Sequence, residues 1–387
     1  RRSVRVERVM RRFQIATTIL LLMMMMPLGS VSAREFTGEN DLGVETDLMR
    51  RTQEGLEMVY GRQYKEALRH FREVGEIYPD SPVGPFGRSV VFQSMMLENF
   101  DYGYRDTYQV EAEKALALVE KALKSSDQKG WNYFLYAGII GLDGLDRVRE
   151  GDYLTAFNKG WDAIEAMKKS KRHAPDFADP DLGLGIYNYW RTAITEKVDF
   201  LPRFGDHRAE GIAQMEHARD NGMLVWAGAS FALAYTYMEE RKYNKAAAEC
   251  VRIQQEYPQS IINNMLMGRI YTKSKDYEGA LAAYHRILAD DPKNRRVIWH
   301  IADCYYKSRR HDDEARDYFN QYLEFDIPDQ YRCHVHYRLG QIAQRGKDWA
   351  EAERMFVKSL EYDAKYGPAK KRLEVVRNKQ TSDDDDD

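Results

Sequence analysis

Histidines and cysteines near the carboxyl end carry the most reactive side chains of the sequence. His300 and Cys304 are four residues apart, on one face of a predicted helix, and Cys333 and His336 belong to the next predicted first helix. Two thiolates and two imidazoles are the ligand types of a tetrahedral zinc site. Their spacing, however, matches no short zinc signature. We therefore expect no metal and no cofactor, with free thiols as the default and a Cys304–Cys333 disulfide as the alternative.

A second group combines aromatic rings and cations on both sides of an insertion at residues 191–206. One interpretation is a pocket beneath a loop, where Arg191 or Arg208 meets a small anion or a glycan fragment. The alternative is an enlarged core, because aromatic residues at helical spacing usually pack inside a protein. The candidate pocket residues are Tyr187, Trp190, Arg191, Phe204, His207 and Arg208.

Signatures of catalysis are missing from the sequence. It contains no Gly-rich phosphate loop, no H-E-x-x-H and no G-x-S-x-G motif, so we expect no enzyme. The chain has 58 basic and 61 acidic side chains and a net charge of −3. Because no basic stripe stands out, nucleic acid is not an expected partner.

A repeat of 34 residues predicts the helices that position these side chains. Tyr237, Tyr243, Ala246 and Pro258 recur 34 positions later as Tyr271, Tyr277, Ala280 and Pro292. A period near 34 is typical of a helix–turn–helix unit that buries its apolar face only against its neighbours. Small residues such as Gly268 and Gly340 are predicted where two helices approach closely. Large residues such as Tyr284 and Phe356 are predicted to fill the space between repeats.

The pattern resembles the tetratricopeptide repeat family, most clearly at Leu339, Gly340, Ala352 and Phe356. The resemblance covers roughly residues 48–379. It implies an all-α fold, a right-handed superhelical solenoid of about eight helix pairs followed by a C-terminal capping helix. It also implies a protein-interaction module rather than a catalyst.

The chain divides into six predicted segments. Arg11 and Arg12 precede an apolar run of about 14 residues, shorter than the ~20 that span a bilayer, and Val31-Ser32-Ala33 is a cleavage pattern. We therefore expect a signal peptide, export across the inner membrane and a periplasmic location, with no transmembrane segment. The segments are a signal peptide at 1–33 with a start at Met10, a polar lead-in at 34–47, irregular repeats at 48–226, regular repeats at 227–366, a capping helix at 367–379 and a disordered acidic tail at 380–387.

In such a superhelix the first helix of each repeat lines the inner groove, and its fifth and ninth positions, among them His300 and Cys304, face inward. The resemblance thus implies a groove for a peptide or partner helix, and its cations favour an acidic one. An ordinary solvated helix face is the alternative. We expect a scaffold of the bacterial cell envelope, and the alternative function is a small-ligand module that uses the pocket at 187–208. The groove residues are Phe231, Tyr235, Met265, Arg269, Lys273, His300, Lys307, Tyr337, Gln341 and Arg345.

Overall fold

The computed structural model describes residues 42–99, 101–195 and 205–384. These residues form seventeen α-helices and no β-strand, which confirms the predicted all-α fold. The predicted signal peptide and residues 34–41 of the lead-in lie outside the described part. None of the helices in the described ranges is both long and apolar enough to cross a bilayer.

Consecutive helices pack as eight helix–turn–helix pairs, and α17 packs against the last of them. This arrangement confirms the predicted repeat. The last helix continues past residue 379, where the capping helix was predicted to end. The helices are α1 Thr46–Tyr60, α2 Tyr64–Ile77, α3 Val83–Asn99, α4 Arg105–Ser125, α5 Lys129–Glu150, α6 Tyr153–His173, α7 Pro180–Thr195, α8 Arg208–Asn221, α9 Trp226–Glu239, α10 Tyr243–Glu256, α11 Ile261–Ser274, α12 Tyr277–Asp290, α13 Arg295–Ser308, α14 Asp312–Leu323, α15 Asp329–Arg345, α16 Trp349–Tyr362 and α17 Gly367–Asp384.

The chain forms two compact units, which we call unit 1 (Arg1–Asn263) and unit 2 (Asn264–Asp387). Unit 1 contains α1 to α10 and the first turn of α11, and unit 2 contains the remainder. The sequence predicted a change from irregular to regular repeats at 226/227, whereas the packing divides the chain inside α11.

A recurrent turn joins the two helices of a pair. A non-glycine residue with φ between 58° and 68° stands in five of these turns, namely Arg62, Arg241, Lys275, Arg309 and Lys347. At the end of α9 the Arg241 amide donates to Met238 O (3.1 Å) and the Lys242 amide donates to Tyr237 O (2.8 Å). This pattern is the Schellman motif, which satisfies the last helical carbonyls.

The second helix of several pairs begins with an aspartate immediately after this turn. Asp152, Asp276 and Asp348 each accept a hydrogen bond from the amide three residues later, at 3.2, 2.9 and 3.0 Å. Such caps satisfy one of the free amides at a helix N-terminus. The turn and the cap together fix where one helix stops and the next begins.

Glycines of the first helices lie against aromatic rings of the second helices. A Cβ added at Gly268 would lie 2.4 Å from the Tyr284 ring, and one at Gly340 would lie 2.7 Å from Phe356. Because real Cβ contacts are never this short, only glycine permits the observed packing. The predicted close approach is therefore confirmed at both positions.

Candidate functional site

Eight of the ten predicted groove residues lie in unit 2, on the first helices α11, α13 and α15. The cations of these helices are spaced as neighbours on single helix faces. We call this surface the basic face and define it by Arg269, Lys273, Arg296, Lys307, Arg338 and Arg345.

Tyr306 is the centre of the basic face. The guanidinium groups of Arg338 and Arg345 lie 4.4 and 4.6 Å from the centroid of its ring. Its hydroxyl donates to Gln341 Oε1 at 2.8 Å, and Arg345 Nη1 donates to the Tyr306 carbonyl oxygen at 3.0 Å. Cation–π contacts of this kind contribute about 0.5–2 kcal/mol each. Tyr306 therefore holds two cations of α15 in place.

Carboxylates neutralise part of the basic face. Lys307 pairs with Asp303 on its own helix, and Arg345 pairs with Asp312 at the start of α14. Arg338 donates to Gln341 Oε1 at 3.4 Å and has no carboxylate partner among the described residues. The surface thus keeps an excess of positive charge around Tyr306.

The pKa of His300 is affected by the same positive charge. Its ring stacks on Tyr284, with centroids 5.3 Å apart and planes inclined by 10°. Burial, together with the nearby cations Arg269 and Arg296, lowers the pKa of His300 from an ordinary 6.5 to about 4. His300 is therefore neutral at neutral pH and packs as an aromatic ring.

We expect His300 to make the protein less stable in mild acid. Between pH about 4 and about 6.5 the unfolded chain binds a proton that the folded chain excludes, so stability falls as the pH drops through this window. The melting temperature should therefore drop less between about pH 7 and about pH 5 in His300→Gln than in the wild type. His311→Gln, at an exposed position, is the control. Equal pH dependence in wild type and His300→Gln would contradict this burial argument.

The other predicted groove residues of unit 2 mainly pack. Tyr337 contacts the Phe356 and Tyr366 rings at 5.8 and 5.3 Å, and Met265 is buried. Lys273 is exposed near the end of α11. These placements leave the charged residues, rather than the apolar ones, as the accessible part of the face.

The repeat positions predicted for α13 are wrong by one residue, because each position lies one residue earlier in the structure than in the prediction. Cys304 was expected to face the groove at the ninth position, but it is fully buried and its sulfur lies 3.1 Å from Thr272 Oγ1. Ala302 shares a core cluster with Phe319, in the place that glycine takes in α11 and α15. Asp303 and Tyr306 therefore reach the basic face, and the sequence missed both.

Phe231 and Tyr235 lie in unit 1 and contact its core. Tyr235 is 8% exposed and lies 6.0 Å from the ring of Trp190. Phe231 packs against a cluster of Trp226 and Ile253. Their role as anchors for a partner stays a prediction, and the burial of Tyr235 counts against it.

Within unit 1, the first helix pair also contacts the fifth helix pair. The Tyr60 ring at the end of α1 stacks on Tyr257 at 5.3 Å, and Gln53 Nε2 on α1 donates to Met223 O at 3.1 Å. A cavity of only about 40 Å³ lies among the first, second and fifth helix pairs, lined in part by Glu98 and Phe231. Such a volume has room for about one water molecule and not for a peptide.

The residues of the predicted pocket at 187–208 have separate partners. Trp190 is 3% exposed and its ring meets Tyr189 edge-on at 5.2 Å, so it belongs to the core of unit 1. Phe204 lies outside the described residues. The remaining four form local contacts: Arg191 lies over the ring of Tyr187, Arg208 pairs with Asp206, and His207 pairs with Glu210.

The histidines and cysteines considered for zinc are also held separately. Cys333 Sγ lies 3.3 Å from Ser359 Oγ on α16, whereas Cys304 faces α11. The three cysteines are unbridged and buried. No group of three or more metal-ligating side chains converges anywhere in the described ranges.

Comparison with known proteins connects this geometry to a family. Residues 265–330 match the family model described as Tetratricopeptide repeat. The match includes α12, α13 and α14 and most of α11, and so contains much of the basic face. No curated protein matches the chain significantly.

Several solved structures are similar in fold. A tetratricopeptide repeat protein from Parabacteroides merdae shares 12% identity over 74% of this chain and 98% of its own, with a TM-score of 0.39. Pseudomonas aeruginosa pilF shares 16% identity over 63% of this chain and 96% of its own, with a TM-score of 0.42. Human IFIT1, in a dimer with PPP-AAAA, shares 14% identity over 88% and 85%, with a TM-score of 0.44.

At these sequence identities and TM-scores, the similarity concerns the helical fold alone. The fold itself is a protein-interaction fold, because stacked repeats present an extended surface to other molecules. Residues 265–330 therefore match tetratricopeptide repeats, and the helix pairs on both sides of them have the same helix–turn–helix arrangement.

Proposed function

We propose that the chain is a non-catalytic scaffold that binds an acidic peptide or partner helix on the basic face of unit 2. The observation that carries the proposal is Tyr306, which holds both Arg338 and Arg345 against its ring. Pre-ordered guanidinium groups lose less side-chain freedom when a partner binds.

The chemistry of the basic face favours carboxylates. A guanidinium group binds a carboxylate through two parallel hydrogen bonds, and the face offers four arginines and two lysines. Charge of one sign also accelerates encounter with an oppositely charged partner. An acidic segment that crosses α11, α13 and α15 is therefore the expected occupant.

The cell envelope is the proposed location of this scaffold. The support is the predicted signal peptide at 1–33, with its basic, apolar and small-residue sections in order. We place the mature protein in the periplasm, as part of an envelope complex.

Arg338→Glu should abolish capture of the partner. The substitution reverses one charge beside Tyr306 and places a carboxylate against the acidic segment, so we expect at least a tenfold loss of bound partner. The measurement is an affinity pull-down of the full chain from an envelope fraction, followed by mass spectrometry. Arg354→Glu is the matched control, because Arg354 lies on the second helix α16 and is 67% exposed.

Salt provides an independent check on the same complex. Salt screens exposed charges, and the Debye length falls from about 10 Å at 0.1 M salt to about 3 Å at 1 M. The captured partner should therefore dissociate as salt rises. A partner that binds Arg338→Glu as well as the wild type and resists salt would refute the proposed surface.

A further inference from the structure

Helix α6 of unit 1 exposes a row of large apolar side chains. Leu154, Phe157 and Trp161 are 73%, 61% and 48% exposed. They are three and four residues apart, so they share one face of the helix. The opposite face buries Ala156, Ala163, Ile164, Ala166 and Ser170.

No other described helix carries such a row. Ile77, Val110 and Val375 are also exposed, but each is the single large exposed apolar residue of its helix. Single exposed apolar side chains are normal on a protein surface, whereas a contiguous row marks a contact site. Tyr187 of α7 extends the row, because its ring meets that of Trp161 at 6.3 Å.

The exposed side of α6 continues with cations. Lys168, Lys169 and Arg172 follow Trp161 on the exposed side and are themselves exposed, and one exposed carboxylate, Asp162, lies beside Trp161. Lys168 pairs with Glu165 and lies 5.9 Å from the Trp161 ring. We call the six residues Leu154, Phe157, Trp161, Lys168, Lys169 and Arg172 the α6 stripe.

The exposed area of the apolar row helps to decide whether a protein or a lipid surface binds there. With side-chain areas of roughly 150–250 Å², the three exposed fractions amount to roughly 400 Å². A stable protein–protein interface needs about 800 Å² on each partner. The row projects from a single helix, and a lipid surface admits projecting side chains without a matching groove.

From these features we propose that the α6 stripe binds an anionic lipid surface. Leu154, Phe157 and Trp161 enter the boundary between headgroups and acyl chains, where tryptophan is enriched. Lys168, Lys169 and Arg172 lie against the acidic headgroups. The helix lies on the surface and does not span it. This inference concerns unit 1 and is independent of the binding proposed for unit 2.

Co-sedimentation of the full chain with lipid vesicles tests the proposal. We expect binding to vesicles of phosphatidylglycerol and phosphatidylcholine, and much weaker binding to phosphatidylcholine alone. Phe157→Ser and Leu154→Ser should each reduce binding by about tenfold or more. Val110→Ser, which removes an isolated apolar residue that is 48% exposed, should leave binding unchanged.

The cations of the α6 stripe provide a second test of the proposal. Lys169→Gln and Arg172→Gln should each weaken binding to the anionic vesicles about fivefold and leave binding to neutral vesicles unchanged. Circular dichroism of every variant checks that the helices are intact. Absence of binding to anionic vesicles, or equal losses in Phe157→Ser and Val110→Ser, would overturn the proposal. So would a lipid-free dimer that Phe157→Ser dissociates, because the row would then pair with a second copy.

Discussion

Gly211→Ala is expected to lower the free energy of unfolding by about 3 kcal/mol. Helices α7 and α8 cross at Gly185 and Gly211. A Cβ at Gly211 would lie 2.6 Å from the carbonyl oxygen of Gly185 and 2.6 Å from the amide nitrogen of Tyr189. Both atoms belong to the backbone, so no side-chain rotation relieves the clash. The helices must separate, and the contacts around Tyr189 and Trp190 weaken with them.

Urea unfolding of the full chain, followed by far-ultraviolet circular dichroism, measures this loss. Gly160→Ala is the matched control, because an added Cβ at this position of α6 meets nothing within 4 Å. Alanine in a helix interior is favoured over glycine by roughly 0.5–1 kcal/mol, so this control should stabilise the protein. If both variants shifted stability in the same direction, the close crossing of α7 and α8 would be refuted.

Tyr306→Ala is expected to weaken binding of the acidic partner about a hundredfold. Without the ring, Arg338 and Arg345 lose the surface on which they stack, and Gln341 loses its donor. Ordering a long side chain on binding costs about 0.5–1.5 kcal/mol, and three side chains would then have to be ordered. The loss should therefore be near 3 kcal/mol, which corresponds to about a hundredfold in affinity.

Tyr306→Phe separates the ring from its hydroxyl. This variant keeps both cation–π contacts and removes only the hydrogen bond to Gln341, which contributes about 1 kcal/mol. Titration calorimetry of the purified complex should show a loss of about fivefold for Tyr306→Phe. Similar affinities for Tyr306→Ala and the wild type would show that the ring does not organise the site.

The repeat and its packing were predictable because they depend on local rules. Gly268 and Tyr284 recur at fixed spacing since a second-helix ring must rest on a first-helix backbone in each pair. Asp276 and Asp348 follow the turn because a helix N-terminus needs an acceptor. Each of these constraints acts within one repeat, so each is visible in the sequence.

Contacts between distant repeats were not predictable in the same way. The stack of Tyr60 on Tyr257 joins residues almost 200 positions apart, and neither residue departs from an ordinary repeat pattern. The closure depends on small rotations between successive pairs, which no single position encodes. The one-residue error in α13 has a similar origin. Cys304 was placed at the inward ninth position, whereas Ala302 marks the helix contact.

Site-specific photo-crosslinking in intact cells tests the central claim most directly. A photoreactive residue at Lys273, on the basic face, should crosslink to a partner protein with an acidic segment. The same residue at Arg354 on α16 should not. Crosslinks to a partner from position 354 and none from position 273 would contradict the claim that the basic face of unit 2 is the docking surface.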